Sequence, residues 1–258
     1  MSNVRMVLRQ LRYENVALRR NTAAAFFTFI FPLMFLVIFT LVFGNDDITG
    51  PGGRTTTAAT FYTGAIAAFS IVNACYTTLA MNVAISRDRG QLKRIRGTPL
   101  PPWAFITAKI LNTVLVAVLL VVIVTVFGWL FYDVSVPTNT LPGLVLALVV
   151  GAAAFAALGL AITGFVRNED AAPAIVNATI LPLLFISDVF IPLDSAPGWL
   201  GTVASIFPVR PLAESMHTAF NPFTEGAAVD VRNLLVMAAW GAVGVVASMR
   251  FFRWEPRR

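Results

Sequence analysis

The sequence predicts an all-α polytopic membrane protein: six transmembrane helices, with an interfacial helix, a cytoplasmic helix and exterior re-entrant helices between or before them. Three observations carry this. Six apolar stretches run over 22–43, 58–85, 103–132, 141–166, 171–191 and 231–252, and a bilayer core about 30 Å thick needs roughly 20 apolar residues to cross it. Hydrophobic residues make up 57% of the 258 residues and charged residues 12%, well below the usual charged share of a soluble domain. The basic residues also alternate. Sixteen of the 19 Lys and Arg fall before the first stretch, after the second, just inside the third, between the fourth and fifth, or at and after the end of the sixth. Basic loops stay on the cytoplasmic side, so both termini and the 86–102 loop are expected there. The spans and their connections use up 1–258, which reads as a single transmembrane domain with no room for a separate soluble catalytic unit.

Residues 1–21 read as an interfacial helix. Val4, Val7, Leu8, Leu11 and Leu18 share one face, with Arg5, Arg9, Arg12 and Glu14 elsewhere, a pattern that suits the lipid headgroup region. The stretch 22–43 has no small-residue cleavage site and is expected to be a retained span. Residues 44–57, rich in Gly and small polar residues, read as an exterior loop. No GxxxxGK[ST] pattern occurs in the chain, so it shows no Walker-type ATP site.

Span two, 58–85, places Thr63, Ser70, Asn73 and Thr77 on one helical face. Such a stripe meets either neighbouring helices or water, because hydrocarbon offers it no hydrogen bonds. Inter-helix bonding and lining of a pathway both remain open from spacing alone. Cys75, the single cysteine, reads as a small buried hydrophobe. His217, the single histidine, cannot build a histidine-cluster metal site. Residues 86–109 contain a short basic helix, 91–96, closed by Gly97. Prolines 99, 101 and 102 then make a stiff elbow into span three, 103–132. A basic helix on a rigid elbow suits transmission of force from a cytoplasmic partner.

Span four, 141–166, carries a Gly- and Ala-rich run at 151–164 that predicts close helix packing. In span five, 171–191, Asn177, Leu181, Leu184 and Asp188 follow i, i+4, i+7, i+11 on one helical face, and Pro182 interrupts the segment, so a kink or break is expected there. Asp188, near the exterior end, is a candidate for attracting cationic amphiphiles. Residues 192–226 are too broken by proline to span and too apolar for a free loop, so short re-entrant helices are expected.

The run Arg87, Arg89, Gly90, Leu92, Lys93, Arg94, Arg96, Thr98, Pro99 and Leu100, with Lys109 after it, resembles the membrane permeases of type-2 ATP-binding-cassette exporters, in particular daunorubicin-resistance-like permeases. A second match runs through Pro182, Leu183, Phe185, Ser187, Phe190, Pro192, Leu193, Pro197, Trp199, Leu200, Phe207, Pro208 and Pro211. Position 188 departs from the family, which commonly has glycine or another small residue there.

The resemblance implies an exporter of amphiphilic drugs, antibiotics or lipids in the cell inner (plasma) membrane. The permease would act as a homodimer or with a related permease, with separate ATPase subunits that hold the ATP and Mg. No cofactor is expected on this chain. It also implies an ATPase-coupling helix at 87–96, comprising Arg87, Asp88, Arg89, Gly90, Leu92, Lys93, Arg94 and Arg96. It further implies a pathway lined by Ser70, Asn73 and Thr77 of span two and by Asn177, Leu181, Leu184 and Asp188 of span five. An ion-coupled secondary transporter is the alternative, although the sequence shows no mid-span charges and no repeated halves. An intramembrane enzyme lacks clustered nucleophiles and acids. The positive charge is explained by the basic inner rim, so no nucleic-acid partner is expected.

Overall fold

A chain in hydrocarbon must satisfy its backbone groups internally, which favours helices. Among the described residues, the computed structural model is mostly helical, with one two-stranded ribbon. The structure describes residues 3–20, 22–43, 47–49, 55–97, 101–190 and 198–252. Among the described residues, five helices are long and apolar enough to cross a membrane: α2 (Thr22–Phe43), a composite rod over 58–88, α6 (Pro102–Tyr132), α7 (Leu141–Thr163) and α11 (Val231–Phe251). Around them lie α1 (Asn3–Arg20), α5 (Gln91–Arg96), α8 (Ala172–Phe185), α9 (Gly198–Ile206) and α10 (Val209–Phe220).

The rod consists of α3 (Ala58–Val72), a π-helical turn (Asn73–Thr78) and α4 (Leu79–Asp88). Every residue of α3 is buried, so the rod is the axis of the bundle. The α7 helix runs parallel to it. Gly159 faces the π-turn, and a Cβ there would lie 2.9 Å from the Cys75 carbonyl oxygen. The α11 helix runs parallel to α7 in turn, with Gly241 against Ala154 and Gly244 against Ala157. The small residues at 151–164 thus let backbones approach closely, as their composition predicts. The α6 helix runs antiparallel to the rod, with Gly128 beside Thr63 and the Cys75 Sγ 3.7 Å from the Thr113 carbonyl. On α2, Phe31, Phe35 and Phe39, at helical spacing, pack against Tyr62, Phe69 and Phe190.

Since α7 and α11 run parallel, the chain between them must return from one end of the bundle to the other. It does so through α8 and 186–190, where the helix of the span expected over 171–191 ends at Phe185, close to the kink or break expected at Pro182. Fourteen residues at 1.5 Å rise span about 21 Å, short of a bilayer core. Pro182 sits inside α8 and lacks the N–H that would extend the backbone ladder. The helix closes one turn later with the Ile186 N–H on the Pro182 carbonyl, and Asp188 then takes the left-handed conformation at φ 56°.

The 44–57 region also differs from a plain loop. Asp47–Thr49 pairs antiparallel with Thr55–Thr57, and the Thr57 hydroxyl caps α3 by accepting from the Thr60 N–H. The 192–226 segment contains α9 and α10, and α10 is buried along Val209, Leu212, Ala213, Met216 and Phe220. Thr98–Leu100 of the proline elbow, residues 44–46, 50–54 and 191–197, and the C-terminal arginines 253, 257 and 258 lie outside the described residues.

Candidate functional site

The basic segment sits at the end of the bundle where α4 and α7 finish. The α5 helix runs over Gln91–Arg96 with Gly97 at its C-cap. It follows a turn at Arg89–Gly90, in which Gly90 takes φ 69°, a conformation glycine adopts without steric cost. Leu92 is wholly buried and anchors α5 to the bundle, while Lys93 and Arg94 are exposed. Arg96 ends the helix.

The first residues of the run behave differently. Arg87 is 1% exposed, and its guanidinium donates to the Thr163 carbonyl at 2.7 Å and the Val166 carbonyl at 2.6 Å. Asp88 Oδ2 accepts the Glu169 N–H at 3.0 Å, and Arg89 Nε pairs with Glu169 Oε2 at 2.9 Å. The 87–96 run is therefore the end of α4, a turn and then α5. Of its cations, Arg89, Lys93 and Arg94 are exposed, whereas Arg87 is enclosed. Glu169 was not singled out in the sequence, because its partners lie about 80 positions away.

The α1 helix packs along α6 beside this end. Lys109 Nζ pairs with Glu14 Oε2 at 3.1 Å and lies 5.2 Å from the Phe105 ring centre. The resemblance had picked out Lys109 without a partner, and the structure supplies Glu14 as that partner.

The polar stripe of span two is divided. Thr63 and Ser70 are wholly buried and donate to their own helix at the Ala59 and Ile66 carbonyls. Asn73 and Thr77, in the π-turn, are half-buried. A π-turn takes more residues per turn than an α-helix, so positions beyond it leave the face that a uniform helix assigns them. On α8, Leu181 is exposed, Asn177 half-buried and Leu184 buried. The π-turn and α8 meet at a 2.6 Å hydrogen bond between the Tyr76 and Thr179 hydroxyls. That bond edges an apolar cleft of about 210 Å³ lined by residues including Phe155, Ile180, Leu183 and Trp240.

Asp188 lies beyond α8 rather than on its face. Its carboxylate is 3.4 Å from Arg210 Nε, and its carbonyl bonds with His217 Nε2 at 3.0 Å. Arg210 also pairs with Glu214 at 2.8 Å and donates to the Gly201 carbonyl. His217 stacks on Phe61 with ring centres 4.2 Å apart. This cluster ties 186–190, α9 and α10 together at the end opposite α5. Among the described residues, no three His, Cys, Asp or Glu side chains group closely enough to hold a metal ion.

The arrangement presents a short basic helix at the end of the bundle where α4 and α7 finish. Residues 7–221 match the model of the family described as "ABC-2 type transporter". The chain is also 24% identical over 223 residues to "Putative transport permease YvfS" of Bacillus subtilis (strain 168), covering 86% of each chain. With a basic helix, a span broken after Pro182 and a family match over most of its length, this chain belongs to the ABC-2 type transporter family as a membrane permease.

Proposed function

We propose that the chain is the permease of an ATP-driven exporter whose ATPase docks on α5. The observation that carries this is the display of Lys93 and Arg94 on a short helix that Leu92 pins to the bundle. A docking face needs exposed charge on a support that does not yield, and α5 has both. The α5 end would then be cytoplasmic, the Asp188 cluster exterior, and α1 interfacial. The second permease copy would complete a path along the π-turn and α8, where Asn73, Thr77 and Asn177 are half-buried in the single chain. Few polar groups line that region, which favours amphiphiles such as drugs or lipids. An ion-coupled carrier is disfavoured: among the described residues the buried charged side chains are Arg87 and Lys109, both toward the α5 end.

Lys93→Glu/Arg94→Glu tests the docking. It leaves the Arg89–Glu169 pair intact, and like-charge contacts at an interface cost several kcal/mol. The variant is expected to insert normally and fail to retain the ATPase on co-purification. Undiminished retention would refute α5 as the docking element.

A further inference from the structure

Arg87 heads the wholly buried side chains in size among the described residues. A buried cation is tolerated only when it is well hydrogen-bonded. Two of its partners, the carbonyls of Thr163 and Val166, lie where α7 ends and leaves acceptors unsatisfied at the negative end of its dipole. Asp88 and Arg89 hold the same connecting segment through Glu169. Beneath them Ala84, Val166 and Ala172 form a small apolar cluster with Ile175. Three consecutive residues ahead of α5 therefore grip the link between α7 and α8, and Leu92 of α5 is itself wholly buried.

We infer that Arg87 is a positioning residue for energy coupling: it clamps the end of α4 to the end of α7, so that displacement of α5 reaches α7 and α8 as one body. The inference rests on the proposed docking of an ATPase at α5.

The test uses the full-length permease with its ATPase subunit in nanodiscs, on a Cys75→Ala background. Ala174→Cys, exposed in the first turn of α8, carries an environment-sensitive fluorophore. In the parent, ATP with vanadate changes the emission. In Arg87→Gln, whose parent side chain is 1% exposed, the emission response is read per ATPase subunit retained. The emission response falls about fivefold or more, the low end of usual coupling between sites. Arg87→Lys keeps the charge but offers one nitrogen to two carbonyls, and falls between. A response in Arg87→Gln equal to the parent overturns the inference. If Arg87→Gln does not reach the membrane, Arg87→Lys and Glu169→Ala decide, and responses equal to the parent in both overturn it. A parent that retains no ATPase defeats the docking reading itself, whereas a parent that retains it but whose α8 does not respond to ATP overturns the inference and leaves the docking reading standing.

Discussion

The ion pair between Glu14 and Lys109 should hold α1 on the bundle, and its two halves should not be equivalent. Lys109 is 9% exposed and Glu14 18%. At an effective dielectric constant of about 20, charges 3.1 Å apart attract by about 5 kcal/mol before desolvation is subtracted. Removing one partner of a buried pair costs about 3–5 kcal/mol, because the other charge is left uncompensated. Glu14→Gln strands the more buried charge, leaving the Phe105 ring as its nearby aid. It should weaken α1 docking by about 3 kcal/mol, the low end, since an amide oxygen still accepts. Lys109→Met leaves Glu14 with the Gln10 amide at 3.2 Å and should cost about 1 kcal/mol. Glu14→Gln/Lys109→Met should be milder than Glu14→Gln alone. In nanodiscs, trypsin cleavage at exposed Arg9 and Arg12 reads the opening of α1. About 3 kcal/mol corresponds to roughly a hundredfold faster cleavage. Unchanged cleavage in Glu14→Gln, or a double variant as weak as the sum of the singles, would refute the reasoning.

Gly159→Val places branched atoms where even a Cβ meets the Cys75 carbonyl at 2.9 Å, so it should destabilise by about 1–3 kcal/mol as overpacking does, read as a lower Tm in detergent; an unchanged Tm would mean α7 slides without loss. Lys93→Cys on Cys75→Ala should label with a membrane-impermeant maleimide only in inverted vesicles, and labelling in intact cells would reverse the orientation.

Much of the bundle was legible because a bilayer dictates span length, and α2, α6, α7 and α11 end within three residues of the apolar stretches. The α5 helix was legible because Gly97 and the prolines punctuate it, and its limits coincide with 91–96. What escaped the sequence depends on contacts between distant segments. The π-turn has no compositional mark; it lies where Gly159 lets α7 meet the Cys75 and Tyr76 carbonyls. Arg87 and Lys93 are both cations in one short run, and only the fold shows that one is enclosed and the other exposed. The end of α8 was half legible. Pro182 announced an interruption, but not that the helix would close at Phe185 and leave Asp188 outside it.

Asp188 shows how backbone and charge can be separated. The sequence suggested an acid on a helix face, free to attract cationic amphiphiles. The structure pairs it with Arg210 and gives it φ 56°, a conformation that glycine takes freely and that Asp and Asn tolerate better than other residues. Asp188→Gly removes a 3.4 Å ion pair, but Arg210 keeps Glu214 at 2.8 Å, so no charge is stranded and the loss is held to about 1 kcal/mol; it also relieves a left-handed residue by a similar amount, and its Tm should stay close to the parent. Asp188→Asn keeps the tolerated backbone and loses only the charge, so it too should be mild. Asp188→Ala loses the pair and still bears a Cβ in the left-handed region, which costs roughly 1–2 kcal/mol, and should be the least stable of the three. If Asn and Ala lower the Tm equally while Gly lowers it more, the ion pair and side-chain contacts dominate, and the backbone account of this position is wrong.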